Sequence, residues 1–254
     1  MRKEIGPAFI IFLFCLFLGA PSCPADSPPK KLFVGERLVY SVRYLGIEVG
    51  KGVAEVKEIT EVRGRKAYHV EIQVRSSHLL DWIYKVRDTH HSYLDVEKLH
   101  SLRYEKILHE GHYRADEIME YDQEKHVATY FSRLNQSRKE MEIPPDVQDQ
   151  LSCGFWFRLQ RLESNARIYI PVNADEKNWD LEVKILDKTN LKVDGLGERE
   201  AVEVEPEIQF QGLFVKRGKI RGWVGLDERR IPLKMKVKVP VLGAIVATLE
   251  EYKP

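Results

Sequence analysis

Along most of this chain apolar and polar residues alternate with a period of two, and few folds accept that period. In the stretch 35–58, Leu38, Tyr40, Val42 and Tyr44 fall on one parity, with Val39, Ser41 and Arg43 on the other. Side chains point to opposite faces at successive positions of a strand, so the alternation is a strand signature. Gly46, Gly50 and Gly52 punctuate the run before 53–58 resumes as a second strand. Glycine within a strand pattern marks a tight turn, a bulge, or a close approach of another backbone or a ligand. The stretch reads as a hairpin that starts a sheet and forms its first edge. No helix follows the glycines, so they are assigned to curling of the sheet rather than to a phosphate cradle.

The alternation persists. Tyr68, Val70, Ile72 and Val74 share one face of the next strand, opposite His69, Glu71, Gln73 and Arg75. Further strands are expected over 84–93, 99–108, 112–121, 126–133 and 167–172. Those over 180–193 (with a hairpin at 187–190), 198–210, 216–224, 230–239 and 244–252 complete the set. Pro232 places the start of the strand 230–239 at a sheet edge. Short links imply antiparallel neighbours, because parallel pairs need long crossovers. A meander of about a dozen strands does not stay flat. The expected fold is therefore all-β, mainly antiparallel: a long meander curled into a β-roll or half-barrel. The closing 233–250 loosely echoes the opening run, which suggests that the last strands lie near the first.

One segment breaks the period. Val147, Leu151, Phe155, Arg158 or Leu159, and Leu162 recur at helical spacing, which predicts one amphipathic helix around residues 146–163. Pro144 and Pro145 ahead of it, and Asp146 and Asp149 in its first turn, suit a helix N-terminus. Its aromatics Phe155, Trp156 and Phe157 are expected to lie against the sheet.

The first 25 residues stand apart. Arg2 and Lys3 precede an apolar run over 8–20 that is too short for a spanning helix, which needs roughly 20 residues. This is the layout of a secretory signal, so 1–25 is read as a signal peptide and 26–34 as a flexible leader. Two cleavages stay open. One, after Cys23-Pro24-Ala25, releases a soluble chain; the other, at a degenerate lipobox, makes Cys23 the acylated first residue. The product is periplasmic in the first case and outer-membrane associated through a lipid anchor in the second, with no transmembrane span in the mature chain. No linker divides 35–252, which is read as a single domain.

Net charge is +1, from 40 Lys+Arg and 39 Asp+Glu, so no global field recruits nucleic acid. Eight histidines invite a metal reading. Against it, His90 and His91 are adjacent and point to opposite faces, as do His109 and His112, and no HExxH or CxxC spacing occurs. Ser152 and Cys153 sit at the expected helix start and are read as capping and core residues. No GxSxG or SxxK motif is present. Neither a catalytic, a cofactor-binding nor a metal-binding residue is assigned. Lys234, Lys236 and Lys238 share one face of a strand and form either a solvated edge or a basic stripe facing a phosphate- or carboxylate-bearing ligand.

Four stretches taken together carry a resemblance: 35–52 (GERLVYSVRYLGIEVGKG), 84–106 (YKVRDTHHSYLDVEKLHSLRYEK), 148–159 (QDQLSCGFWFRL) and 223–250 (WVGLDERRIPLKMKVKVPVLGAIVATLE). They resemble the DUF3108 family of exported bacterial proteins over nearly the whole mature chain. The resemblance implies a curled antiparallel β fold in the cell envelope, with no established activity, catalytic residue or cofactor. Gly225-Leu226-Asp227 stands where such proteins often show Ser and two acids before the Arg-Ile-Pro. The expected function is that of a non-enzymatic envelope protein binding a lipidic or glycan ligand, or an envelope protein partner. The alternatives are a packed structural or interaction module, and a hydrolase.

Overall fold

A computed structural model describes residues 31–207, 219–239 and 243–254; the stretch 1–25 expected to be a signal peptide, Cys23 and most of the expected leader lie outside the described residues. The strands in chain order are β1 (Arg37–Tyr44), β2 (Ile47–Val62), β3 (Arg65–Ser76), β4 (Arg87–Asp95), β5 (Ser101–Glu110), β6 (Tyr113–Asp122), β7 (Val127–Ser132) and β8 (Arg138–Glu142). After the central segment come β9 (Arg167–Ala174), β10 (Lys177–Val193), β11 (Gly197–Glu207), β12 (Lys219–Gly225), β13 (Pro232–Val239) and β14 (Gly243–Lys253). Two short helices accompany them, α1 (His78–Asp81) and α2 (Ser152–Arg158).

All 14 strands form one antiparallel sheet in the order β8-β7-β6-β5-β4-β3-β2-β1-β14-β13-β12-β11-β10-β9. The expectation of a curled antiparallel meander holds, and the last strands do lie beside the first. The opening hairpin is not an edge, however: β14 pairs with β1 from Arg37↔Lys253 to Tyr44↔Ile245, which puts the hairpin mid-sheet. Pro232 likewise begins β13 inside the sheet, opposite a register shift at Trp223/Val224. A bulge tolerates a residue that cannot donate to the ladder. The edges are β8 and β9.

The two-residue connection Leu45-Gly46 has both residues at positive φ, 49° and 85°, and so does Arg63-Gly64, at 49° and 78°. Such turns match the twist of the flanking strands. Gly50 and Gly52 lie within β2 rather than at its start. At Gly50 a Cβ would sit 2.5 Å from the Arg75 carbonyl oxygen, so glycine there permits the close strand approach of a tightly curled sheet. The hairpin expected at 187–190 is absent. β10 runs unbroken for 17 residues and absorbs the turn-forming residues in an irregularity between Ile185 and Lys188, because β11 pairs with it on both sides.

The helix is shorter than its periodicity predicts. Only Ser152–Arg158 are helical, and the segment ahead of them runs through the interior of the roll. Gln148 is the reason: its N–H donates to Pro171 O and its carbonyl accepts from Asn173 N, both at 2.8 Å, so this residue extends alongside β9. The Asp149 carboxylate then takes the N–H groups of Leu151 and Ser152, so the helix starts at Ser152 rather than at 146. β8 and β9 are joined by no ladder; Asn178 Nδ2 donates to Glu142 O at 2.7 Å, and Lys139 pairs with Glu176, holding the edges together.

One face of this central segment (Val147, Leu151, Phe155) packs into the core cluster of β1–β7 and β14, with Val56, Val70, Leu94, Tyr121 and Leu249. Cys153, Phe157 and Leu162 pack instead against Ile170, Val183, Ile185 and Val202 of β9–β11. The segment is a plug between two walls of one curled sheet.

Candidate functional site

The plug does not fill the roll. Between α2 and the sheet lies a cavity of about 360 Å³, within the range of small-molecule sites. Tyr40 and Val42 of β1, Gly52 of β2, Ile72 and Val74 of β3, Val204 and Pro206 of β11, Ile220 of β12 and Met235 of β13 form its walls. Cys153, Gly154, Phe155 and Phe157 of α2 face it from within. These positions meet because the strands' registers align their inward parity: Tyr40 and Val74 both pair with Gly52, and Met235 pairs with Gly222 and Ala247. Gly52 keeps the space open, since the nearest atom to a Cβ placed there is Gln73 O at 4.0 Å.

The polar groups on the lining already have partners. Arg158 lies against Glu36 with Nη1 2.7 Å from Oε2, both side chains being almost wholly buried. Its Nε donates to Arg230 O and its Nη2 to Arg229 O. The Tyr40 hydroxyl donates to Pro232 O at 2.8 Å, and burial raises its pKa. Burial also pushes the Cys153 thiol up to about 12, which keeps it protonated and un-nucleophilic at neutral pH. Ser152 Oγ accepts from Asp149 N, a reciprocal cap consistent with the structural reading of this residue.

Val42, Val74, Pro206 and Ile220 each lie within two residues of a strand end, at the end of the roll carrying the connections 45–46 and 77–86. These connections bear unusually exposed apolar side chains. Trp82 is 91% exposed and Ile83 84%, with Leu45, Ile47, Leu79 and Tyr84 also on the surface. Such groupings mark interaction surfaces more often than isolated apolar residues do.

The lysine stripe divides. Lys236 and Lys238 are exposed, opposite in parity to buried Leu233 and Val237, and they pair across the ladder with Arg221 and Lys219. Half-buried Lys234 places Nζ 5.3 Å from the Trp223 ring centre, at the cavity wall. His90 and His91 do point apart, one buried and one facing out. Spacing along single strands missed one constellation nonetheless: His69 and Glu71 of β3 meet His91 of β4 across the ladder. Only knowledge of strand register could have found it.

A family model described as a protein of unknown function, DUF3108, matches residues 39–250. No curated protein matches the chain. Among solved structures, a beta-barrel-like protein of domain of unknown function DUF1849 from Brucella abortus aligns with a TM-score of 0.53 at 8% identity, covering 87% of this chain and 98% of that one. A candidate lipoprotein from Parabacteroides distasonis aligns at 0.40 and 10% identity, over 90% and 100% of the two chains. A candidate exported protein with a YmcC-like fold from Bacteroides fragilis aligns at 0.37 and 9%, over 91% and 100%. At these identities the first of the three shows a shared fold and nothing more.

Proposed function

The chain belongs to the DUF3108 family of proteins of unknown function, and we propose that it is a non-enzymatic envelope protein that holds the apolar chain of a lipidic ligand between α2 and the curled sheet. The observation that carries this reading is the cavity lining, which is almost wholly hydrocarbon, with Arg158 and Tyr40 already hydrogen-bonded and Lys234 held over the Trp223 ring. A glycan would bring many hydroxyls that such a wall leaves unpaired, at about 1–3 kcal/mol for each buried group. An apolar chain loses nothing there. The exposed Leu79, Trp82 and Ile83 at the same end of the roll suit contact with a membrane or a lipid-bearing partner. The apolar run over 8–20, read as an export signal, is consistent with an envelope location.

The test is native mass spectrometry of protein purified from membranes, paired with thermal melts in phospholipid mixtures. Retained lipid and a raised Tm are expected, since a ligand that binds only the folded state stabilises it. Gly52→Leu fills the cavity from a position with no steric neighbour; it is expected to fold normally and to lose the lipid. If no lipid co-purifies and none raises Tm, the reading fails. If Gly52→Leu retains lipid as the wild type does, the ligand lies elsewhere and this cavity is not its site.

A further inference from the structure

We infer that His69, His91 and Glu71, on the outer face of β3 and β4, form a binding site for a divalent transition-metal ion of the Zn²⁺ class. The three side chains each offer one ligand atom, and these atoms lie within 4.8 Å of one another. His69 Nε2 is 3.0 Å from His91 Nδ1, and His91 Nδ1 is 3.5 Å from Glu71 Oε2. A tetrahedral ion with bonds of about 2.0–2.1 Å needs donor atoms about 3.3 Å apart, so these two edges already have the required length. Two imidazoles and a carboxylate are a donor set that suits Zn²⁺ and its neighbours rather than Ca²⁺ or Mg²⁺, which prefer oxygen alone. On binding the ion, the hydrogen that now lies between the two ring nitrogens would move to the outer nitrogen of the ring that bears it, so that both histidines ligate as neutral imidazoles. Water would occupy the fourth position.

The surroundings hold the three ligands in place. β2 carries a register shift between Val56 and Glu58, which sets Glu58 opposite His69 and brings its Oε1 to 3.8 Å from His69 Nδ1. A carboxylate behind the non-ligating nitrogen of a metal-bound histidine fixes ring orientation and raises its basicity. The Tyr93 ring stacks on His69, with centres 4.7 Å apart and planes at 8°, limiting its rotation. Gln73 Nε2 donates to Glu71 Oε1 at 2.7 Å, which leaves Oε2 turned toward His91. Lys57 approaches Glu71 Oε1, at 3.9 Å, on the side away from the ion, and also lies 3.7 Å from Glu55. The three ligand side chains are only 13–19% exposed, which partly shields the site from water while leaving an entry path.

The test is titration of purified, chelator-stripped protein with Zn²⁺ by calorimetry and with Co²⁺ by visible absorption. The expected result is one equivalent bound per chain, with the absorption of four-coordinate Co²⁺. His69→Ala and His91→Ala are each expected to abolish stoichiometric binding. Should an alanine variant lose its fold by circular dichroism, His91→Gln keeps a polar side chain in the strand and is expected to lose the ion equally. Glu58→Gln, which alters only the outer contact, is expected to weaken binding by about 10- to 100-fold and preserve the stoichiometry. Absence of stoichiometric binding by the wild type overturns the proposal. Wild-type affinity in the His69→Ala/His91→Ala double variant, or in a folded His91→Gln, also overturns it. The lipid cavity has no part in this test, so neither result bears on the other.

Discussion

The two ends of the roll are made from the same strands and filled in opposite ways. At the end where the connections 63–64, 96–100 and 123–126 gather, the interior is polar, buried and bonded. Asp149 is fully buried and accepts from Ser92 Oγ at 2.6 Å, from Ser101 Oγ, and from two backbone N–H groups. Gln123 donates to Ser101 O and Val147 O, Gln148 donates to Leu99 O, and Arg158, which also reaches the cavity lining, lies against Glu36. At the opposite end the interior is apolar and leaves about 360 Å³ unfilled. A buried polar group without a partner is expensive, so the donors of Gln123 and Gln148 and both oxygens of Asp149 are taken at this end, while Gln123 Oε1 and Gln148 Oε1 have no hydrogen-bond partner. An apolar surface left without a neighbour forfeits only dispersion contacts, so space is tolerable at the other end. A ligand can therefore enter where no hydrogen bond has to break.

The contrast is broken most severely at the ion pair. Arg158→Met leaves Glu36 buried without its counter-charge and is expected to cost about 3–5 kcal/mol in urea denaturation. Adding Glu36→Leu should restore much of that loss, because an apolar pair needs no partner.

His90 sits on the boundary, its Nδ1 2.6 Å from the Tyr104 hydroxyl. Burial first, then the nearby Lys106 and His91, push it from 6.5 down to about 4. The unfolded chain therefore binds a proton that the folded chain refuses between those values, so stability falls as pH drops through that window. At about 1.4 kcal/mol per pH unit, the bounds of 6.5 and about 4 set a loss of about 3 kcal/mol. Wild-type protein is expected to lose that much more than His90→Gln between those pH values; equal losses would contradict it.

Two glycines of one strand give smaller and opposite effects. Gly50→Ala drives a Cβ against the Arg75 backbone and is expected to cost about 1–3 kcal/mol. Gly52→Leu enters the cavity and is expected to stabilise by about 0.5–1 kcal/mol, as cavity filling commonly does. If both destabilise equally, the space beside Gly52 is not available to a side chain.

The period-two runs were enough to identify the strands, because each buries one face and exposes the other. They did not reveal that β10 is continuous across 187–190, since turn-forming residues also fit a bulge when a neighbouring strand pairs on both sides. The spacing of Val147, Leu151 and Phe155 does mark the plug and its buried face. It could not show that Gln148 would pair with β9 and delay the helix, because that partner lies more than twenty residues away.

By itself the sequence determined a curled antiparallel sheet, an interruption by one amphipathic segment and an apolar N-terminal leader, because local periodicity and composition carry all three. Only the tertiary structure decided the register in which β1 pairs with β14, that the plug leaves one end unfilled, and that His69 meets His91. Each of those depends on register between strands. Register is set by the fit of the whole sheet around its core, and no single strand records it.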